Sequence, residues 1–289
     1  MSITERVAEA LSGLTGHTGV YSRALEGGDA IELHADTPFT LASVVKLPML
    51  IHTLRKVQQG ELDLDTRIEQ GEADRLPGSG VIVHFRPGLN PTLHDLLYLM
   101  MIVSDNQATD AVLGTSSKEA VQADMHALGY TDFHMPHSVR EVLYSLVPNL
   151  PLDASFDEVM AEFQSPGYER RDDAAGGSAE IGNRCTPRTI AAMLTDLEAG
   201  KLLDEEHTRL ALDILIACQT NSRIPQGVPF GTRVAHKTGT FNSRTNDAGI
   251  VFGPETAYSL VIFNHGEPDE RKASRAFADV SELLYGHYS

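Results

Sequence analysis

Apolar and polar side chains follow two different periods along the chain, and the period indicates where strands and helices lie. Toward both ends the pattern is typical of half-buried or buried β-strands. The first two predicted strands are separated by EGGD, a sequence typical of a hairpin turn. The predicted strands are HTGVYSRAL, AIELHADTPF, TRVAHKTGTF, TNDAGIVFG and AYSLVIFNHG.

The middle of the chain shows the spacing of one helical face. From Ser43 onward, Leu47, Leu50, Ile51, Leu54 and Val57 recur at this spacing until Gly60. Further helices are predicted for Ile3 to Leu14, PTLHDLLYLMMIVSDN with Thr92 as N-cap, KEAVQADMHALGY, TPRTIAAMLTDLEAGK, the short piece FDEVMAEFQ, and Asp269 to Tyr285. The segment from His134 to Asn183 is otherwise irregular and long for a passive connection.

Strands at both ends and helices in between predict an α+β fold. The terminal strands pair into one antiparallel sheet flanked by the terminal helices, and the central helices form an inserted all-α lobe. We expect residues 1–41 and 225–289 to form the sheet lobe and residues 42–224 the all-α lobe. A site between the lobes would combine residues from the start of the middle segment with residues from the last strands.

Composition narrows the classes of function. The 289 residues include 42% hydrophobic and 22% charged side chains, which is ordinary for a globular protein. A net charge of −17 disfavours binding to nucleic acid or to anionic membranes. The acidic amphipathic start lacks the features of a signal peptide, and no apolar run is long enough to span a membrane, so we expect a cytoplasmic protein unless a leader has been removed.

No cofactor or metal is expected from the pattern of ligand-type residues. Cys185 and Cys218 lack the spacing of a metal site; their number allows one disulfide, but two free buried thiols are the favoured interpretation. His134 and His137 in HMPH have no third ligand nearby in the sequence. We expect a monomer whose partner is a small-molecule substrate.

Ser43 and Lys46 are the first candidates for chemistry. They stand three positions apart at a predicted helix start, so their side chains share one face. A serine hydroxyl needs a base to become a nucleophile, and a lysine amine can be that base when burial or nearby cations favour its neutral form. The same spacing also occurs by chance, with a serine beside a surface lysine.

Two further motifs strengthen the catalytic reading. Ser104-Asp105-Asn106 follows an apolar helix and offers a hydroxyl and an amide, although these residues also favour ordinary turns. Lys237-Thr238-Gly239-Thr240 lies on a predicted strand. It offers a cation and hydroxyls for a substrate carboxylate, and a glycine that permits close approach to the backbone.

The three motifs in this order resemble those of the class A serine β-lactamases and penicillin-binding proteins. FTLASVVK, VSDNQATD and HKTGT look like the three family motifs, and CTPRTIAAML and TNDAGIVF resemble two further stretches, so the similarity covers nearly the whole chain. The resemblance implies that Ser43 is the acylated nucleophile, that Lys46 is a base or proton relay, and that Ser104 donates a proton to the leaving nitrogen. It also implies that Asn106 contacts the acyl side chain and that Lys237 and Thr238, beside Gly239, bind the substrate carboxylate. The N–H groups of Ser43 and Thr240 would form the oxyanion hole.

The chain departs from the family at one point. The family's Ω-loop carries a Glu-x-x-Leu-Asn motif whose glutamate activates the deacylating water, and no such motif occurs between Ser104 and Lys237. Glu141 is the nearest candidate by its distance from Ser-Asp-Asn, with Glu169 and Glu180 as further candidates. Each is also explained as a solvated surface carboxylate.

Three functions follow from these observations. The first is a serine hydrolase that opens β-lactam amide or related ester bonds through a Ser43 acyl-enzyme. The second is a DD-peptidase or esterase with the same acylation machinery and slow β-lactam turnover. The third is a non-enzymatic sensor that stays acylated by β-lactams.

Overall fold

The two ends of the chain meet in a five-stranded antiparallel sheet in the computed structural model, which describes residues 1–169, 171, 175–176 and 178–289. The strands are β1 (His17–Ala24), β2 (Ile31–Leu33), β3 (Phe39–Thr40), β4 (Arg184–Cys185), β5 (Arg233–Phe241), β6 (Arg244–Phe252) and β7 (Ala257–His265). The sheet has the order β2-β1-β7-β6-β5, and β3 and β4 form a separate small pair. The predicted pairing of the terminal strands in one antiparallel sheet is therefore confirmed, and β5 is an edge strand.

Helices cover both faces of the sheet and fill the middle of the chain. They are α1 (Ile3–Leu11), α2 (Lys46–Gln58), α3 (Leu93–Ile102), α4 (Asn106–Leu113), α5 (Lys118–Ala127), α6 (Val139–Tyr144), α7 (Phe156–Phe163), α8 (Pro187–Glu198), α9 (Glu205–Ile216) and α10 (Glu270–Tyr288). Short 3₁₀ turns occur at Ala42–Val45, Glu72–Asp74, Ile82–His84 and Ile224–Gly227. The fold is α+β, as the terminal strands and central helices predict.

Strand β7 shows how the sheet is covered. Its side chains point alternately into two hydrophobic cores, because successive residues of a strand face opposite sides of the sheet. Leu260 and Ile262 pack with α1 and α10, whereas Val261 and Phe263 pack into the larger core formed with the central helices. Since both faces are buried, this strand reads as an almost continuous apolar run in the sequence.

Several element boundaries differ from the predictions. The helix expected from Ser43 starts at Lys46, because a 3₁₀ turn over Ala42–Val45 precedes it. The strand expected over AIELHADTPF is divided into β2 and β3, and His34 between them has a φ of 46°. The expected N-cap Thr92 accepts a hydrogen bond from the N–H of Asp95, as that prediction requires.

The irregular segment from His134 to Asn183 contains two short helices, α6 and α7. Helix α7 was predicted, but α6 was not, although its sequence carries the Ser-x-x-Glu signal of a capping box at Ser138 and Glu141. Among the described residues, no helix is long and apolar enough to cross a membrane. Cys185 and Cys218 are free and buried, as expected.

Candidate active site

Ser43 lies in the 3₁₀ turn where edge strand β5 passes close to the backbone. A Cβ atom added to Gly239 would lie 2.6 Å from the carbonyl oxygen of Leu41 and 3.0 Å from the nitrogen of Ser43, so the strand can approach this closely only with glycine there. The side-chain amide of Asn246 donates to the carbonyl oxygens of Thr40 (2.8 Å) and Leu41 (3.2 Å) and holds the turn against the sheet.

The backbone just before Ser43 is strained. Ala42 has a φ of 46°, in the left-handed region that residues other than glycine seldom adopt. Such a conformation costs about 1–3 kcal/mol and persists only where the surrounding contacts enforce it. Ser43 itself is partly exposed and lines a cleft, so its hydroxyl is accessible from solvent.

Lys46, the first residue of α2, is almost completely buried. Its Nζ donates to the carbonyl oxygen of Ser104 (2.8 Å), to Ser104 Oγ (3.1 Å) and to Asn106 Oδ1 (3.2 Å). Burial, and next the positive charge of Lys237, hold the pKa of Lys46 well below its ordinary value. As a neutral amine it would keep two N–H groups for the two carbonyl oxygens, which leaves its lone pair available for a hydroxyl proton.

Ser104 lies between two lysines from different parts of the chain. Its Oγ is 3.1 Å from Lys46 Nζ and 3.1 Å from Lys237 Nζ. Lys237 is fully buried and also donates to the carbonyl oxygen of Thr238 (2.8 Å). Burial, with a contribution from the charge of Arg223, lowers the pKa of Lys237 to about 8. A hydroxyl that contacts both amines can pass protons between them and a bound molecule.

Asp105 fixes the unusual backbone of Ser104, which has a φ of 56°. One carboxylate oxygen of Asp105 accepts from the N–H groups of Val81 (2.6 Å) and Ile82 (2.9 Å), and the other caps α4 by accepting from Ala108 (2.9 Å). The middle residue of the Ser-Asp-Asn motif therefore anchors the loop that presents the other two.

Asn106 is buried at the first turn of α4. Its Nδ2 donates to the carbonyl oxygen of Pro77 (3.0 Å), and its Oδ1 accepts from Lys46 and from Ser79 Oγ (3.3 Å). The amide orientation is thus determined by three neighbours. Thr240 lines the cleft and is exposed, whereas Thr238 is buried and is not one of the lining residues.

Arg223 is a site residue that the sequence analysis missed. It is fully buried and donates to Gly239 O (3.2 Å), Asn246 O (2.6 Å), Thr240 Oγ1 (2.6 Å) and Glu270 Oε1 (3.0 Å). It places a guanidinium directly behind Thr240. No periodic or motif signal marks Arg223, because burial of an isolated arginine depends on carbonyl oxygens supplied by distant segments.

A buried ion pair supports β5 next to Lys237. His236 Nδ1 lies 2.9 Å from Asp247 Oδ1, with both side chains almost inaccessible to solvent. Burial disfavours the imidazolium, but Asp247 overcomes this effect and raises the pKa of His236 to about 10. The other oxygen of Asp247 accepts from the N–H of Ile224, the residue after Arg223.

The cleft beside Ser43 has a volume of about 530 Å³. It is lined by Thr40, Ala42, Ser43, Val45, Lys46, Pro77, Gly78, Ser79, Asn106, Val139, Val142, Leu143, Leu146, Met160, Phe163, Tyr168, Gly176, Asn183, Thr240, Phe241, Asn242 and Glu270. Of these residues, Glu270 is the one carboxylate, and it pairs with Arg223.

Glu141 is placed differently from what its spacing suggested. It forms an ion pair with Lys118 at 2.6 Å and accepts from the N–H of Ser138, and it is not one of the cleft-lining residues. Although burial acts in the opposite direction, Lys118 and Ser138 lower the pKa of Glu141. This placement counts against Glu141 as the base that activates a deacylating water. Glu169 and Glu180 are exposed and also do not line the cleft.

Among the described residues, His134 and His137 do not belong to a group of side chains that could bind a metal ion. His137 Nε2 is 2.9 Å from the carbonyl oxygen of Ile181, and the His134 ring packs edge-on against His126. Within the residues that the structure describes, no group of three or more His, Cys, Asp or Glu side chains could hold a metal ion.

Comparison with known proteins extends the similarity over the whole chain. A model of the beta-lactamase enzyme family matches residues 2–288. The beta-lactamase regulatory protein BlaB from Streptomyces cacaoi is 33% identical over 144 residues, which is 49% of this chain and 46% of that protein. The chain thus spans about half the length of this curated relative.

Two other proteins match over most of their length. Beta-lactamase VEB-1 from Pseudomonas aeruginosa is 23% identical over 99% of this chain and 90% of that protein. A beta-lactamase from Sphaerobacter thermophilus, whose crystal structure is known, is 27% identical in sequence to this chain. The superposition covers 99% of this chain and 96% of that one, with a TM-score of 0.81.

Proposed function

Because the chain belongs to the beta-lactamase enzyme family, we propose that it is a serine hydrolase that opens β-lactam amide or related ester bonds through an acyl-enzyme at Ser43. The observation that carries this proposal is the burial of Lys46 and Lys237 around the single hydroxyl of Ser104. Two buried amines at one hydroxyl favour loss of a proton from one of them. A surface lysine near a serine would have no such arrangement.

Acylation starts with transfer of the Ser43 hydroxyl proton to neutral Lys46. The Ser43 oxygen attacks the substrate carbonyl carbon, and the backbone N–H groups of Ser43 and Thr240 stabilise the negative oxygen that forms. Ser104 then donates its proton to the leaving nitrogen or oxygen and is reprotonated from Lys46. The bond between the carbonyl carbon and the leaving atom breaks as this proton arrives.

Substrate binding uses the opposite wall of the cleft. Lys237 and Thr238 bind a substrate carboxylate, and Gly239 lets β5 lie against the turn that carries Ser43 rather than against the ligand. Arg223 orients Thr240 and adds positive charge behind it. Asn106 contacts the acyl side chain while its other bonds hold the amide in place.

Deacylation is slow with β-lactams in this proposal. A water attacking the ester needs a base, and the described residues supply no carboxylate in the cleft other than Glu270, which pairs with Arg223. An esterase or DD-peptidase with slow β-lactam turnover is therefore the second candidate. The similarity to a regulatory protein over about half the chain adds a β-lactam sensor as the non-enzymatic alternative.

Mass spectrometry of the protein mixed with a penicillin separates these candidates. Turnover with no lasting adduct identifies a lactamase, whereas an adduct that persists for minutes identifies a slow enzyme or a sensor. Ester turnover by the same protein then distinguishes the slow enzyme from the sensor. Failure of penicillins and activated esters to acylate or be hydrolysed would overturn the proposal.

The site of the adduct is tested with Ser43→Ala. This variant should lose labelling by a fluorescent penicillin or a serine-directed phosphonate, because no other residue in the proposal attacks the substrate. Ser289→Ala, which changes an exposed serine at the C-terminus, serves as the matched control and should label normally. Labelling of Ser43→Ala would show that a different nucleophile reacts.

A further inference from the structure

We propose that the cleft selects substrates with an apolar hydrocarbon acyl group, and that the segment containing α6 and α7 provides the binding surface for it. This inference rests on the proposed function, since the acyl group is the part of the substrate that stays bonded to Ser43. It adds a substrate class: esters or amides of medium-chain or bulky hydrocarbon acids.

The cleft that contains Ser43 is also lined by a set of apolar side chains, which we call the apolar wall. The apolar wall consists of Val139, Val142, Leu143, Leu146, Met160, Phe163, Tyr168 and Phe241. All of these except Leu146 are partly exposed to solvent. Apolar side chains that remain accessible in a concave site gain free energy when a ligand removes them from water.

The apolar wall is supported from behind, so it exists before a ligand arrives. Helices α6 and α7 share a small core of their own, to which Tyr144 and Val159 contribute. Val142 and Met160 belong to the same two helices but line the cleft. A prearranged surface loses little conformational entropy on binding, which favours affinity for a matching group.

Phe241 closes the wall from the sheet side. Its ring lies so close to Gly176 that a Cβ atom there would be 2.7 Å from it. Next to it, Asn242 Nδ2 donates to the carbonyl oxygen of Arg171 at 2.9 Å, which ties the end of β5 to the segment after α7. The cleft is thus bounded by apolar groups from two elements far apart in the chain.

Among the described residues, few charged side chains line the cleft. The charged side chains that line it are Lys46 and Glu270. Lys46 is bonded to Ser104 and Asn106, and Glu270 to Arg223. A polar or charged acyl side chain would therefore exchange water for apolar neighbours, which is unfavourable.

The test is a series of p-nitrophenyl esters from acetate to octanoate, kept below their critical micelle concentrations. The readout is the acylation rate, taken as kcat/KM or as the burst of p-nitrophenol. Burial of one methylene corresponds to about a fourfold gain, so the rate should rise by about this factor per methylene until the chain exceeds the cleft.

The ester series distinguishes a failure of the apolar-group inference from a failure of the proposed function. An acylation rate that is flat or falls from acetate onward overturns the apolar-group inference and leaves the proposed function standing. No reaction with any ester or β-lactam overturns the proposed function and the inference with it. Because the unmodified protein is used, the result does not depend on the folding of a variant.

A double variant, Val142→Thr with Met160→Gln, tests the location of the binding surface. Both substitutions nearly keep side-chain volume and add polarity, so the hexanoate-to-acetate rate ratio should fall about tenfold or more. Leu152→Ala, which changes an exposed leucine of the same segment outside the cleft, is the matched control and should keep the ratio. A folded double variant, by circular dichroism, that retains the ratio overturns the assignment to α6 and α7.

Discussion

Lys46, Ser104 and Lys237 form a unit whose behaviour depends on how protons are shared among them. Neither amine has its ordinary basicity, because both are buried, and the charge of Lys237 further opposes protonation of Lys46. Burial holds the pKa of Lys46 well below its ordinary value, which favours the neutral form that the proposed acylation uses. Lys237, with a pKa of about 8, keeps its charge at neutral pH.

This difference predicts distinct pH profiles for two kinds of substrate. Lys46 must be neutral to accept a proton, so acylation should rise with pH through its lowered pKa. Lys237 must be charged to bind a carboxylate, so acylation by penicillins should fall again above a pH of about 8. A neutral p-nitrophenyl ester should show the rise without the fall. Equal alkaline loss for both substrates would contradict the carboxylate role.

Lys237→Ala should separate the same two substrates at a single pH. A hydrogen bond between charged groups is worth about 1.5–3 kcal/mol, so acylation by carboxylate-bearing β-lactams should weaken roughly tenfold or more relative to ester hydrolysis. Acylation rates of both substrates, measured on the same preparation, check this. Lys201→Ala, at an exposed ion pair with Asp196, is the control and should change neither rate.

An equal loss on both substrates would give Lys237 a different role. The lysine would then act through Ser104, which it contacts at 3.1 Å, rather than on the substrate.

At the scale of elements, a buried ion pair stabilises β5 and β6, the strands beside the candidate active site. His236 on β5 and Asp247 on β6 are diagonal neighbours in the strand register, and Asp247 also accepts a hydrogen bond from the N–H of Ile224 beside Arg223. Breaking a buried pair by removing one partner leaves an uncompensated charge in a place that water does not reach.

Asp247→Ala should therefore destabilise the protein by about 3–5 kcal/mol. The measurement is the free energy of unfolding from urea denaturation, followed by circular dichroism. Asp153→Ala, at an exposed position, is the matched control and should change stability by less than about 0.5 kcal/mol. A small effect of Asp247→Ala would mean that the imidazole simply loses its proton and the strands tolerate it.

At the scale of the whole molecule, the cleft combines the proposed nucleophile Ser43 with an apolar segment in the region where the family motif would place a water-activating carboxylate. Glu141 is engaged with Lys118, and Glu169 and Glu180 are exposed. The segment that carries them supplies apolar side chains to the cleft through α6 and α7. In the proposed mechanism, the described residues therefore support formation of the acyl-enzyme better than its hydrolysis.

Stopped-flow measurement with nitrocefin should show this imbalance. We expect a burst equal to the enzyme concentration and then a slow steady state, because loss of a general base typically costs about 10²–10⁴-fold. Esters with small acyl groups leave room for water and should deacylate faster. A steady rate typical of an efficient lactamase with no burst would contradict the prediction, and glutamine substitutions at Glu141, Glu169 and Glu180 would then show whether one of them is the base.

Local sequence was sufficient for most of the elements, though not for α6, and for the three motifs. Strand and helix periods record which side chains face a core, and the N-cap at Thr92 depends only on residues within one turn. The α+β architecture follows because terminal strands of this kind must pair to bury their apolar side chains. Ser43, Ser104 and Lys237 could be singled out because each stands in a short motif.

Only the tertiary structure decided what surrounds those motifs. Lys46 and Ser104 are 58 positions apart, and Ser104 and Lys237 are 133 apart, yet their shared contacts and burial determine the pKa values that the chemistry needs. Arg223 carries no local signal because its partners are carbonyl oxygens of other strands. Glu141 had suitable spacing, but its neighbour in space is Lys118, since ionic partners are chosen by packing and not by distance along the chain.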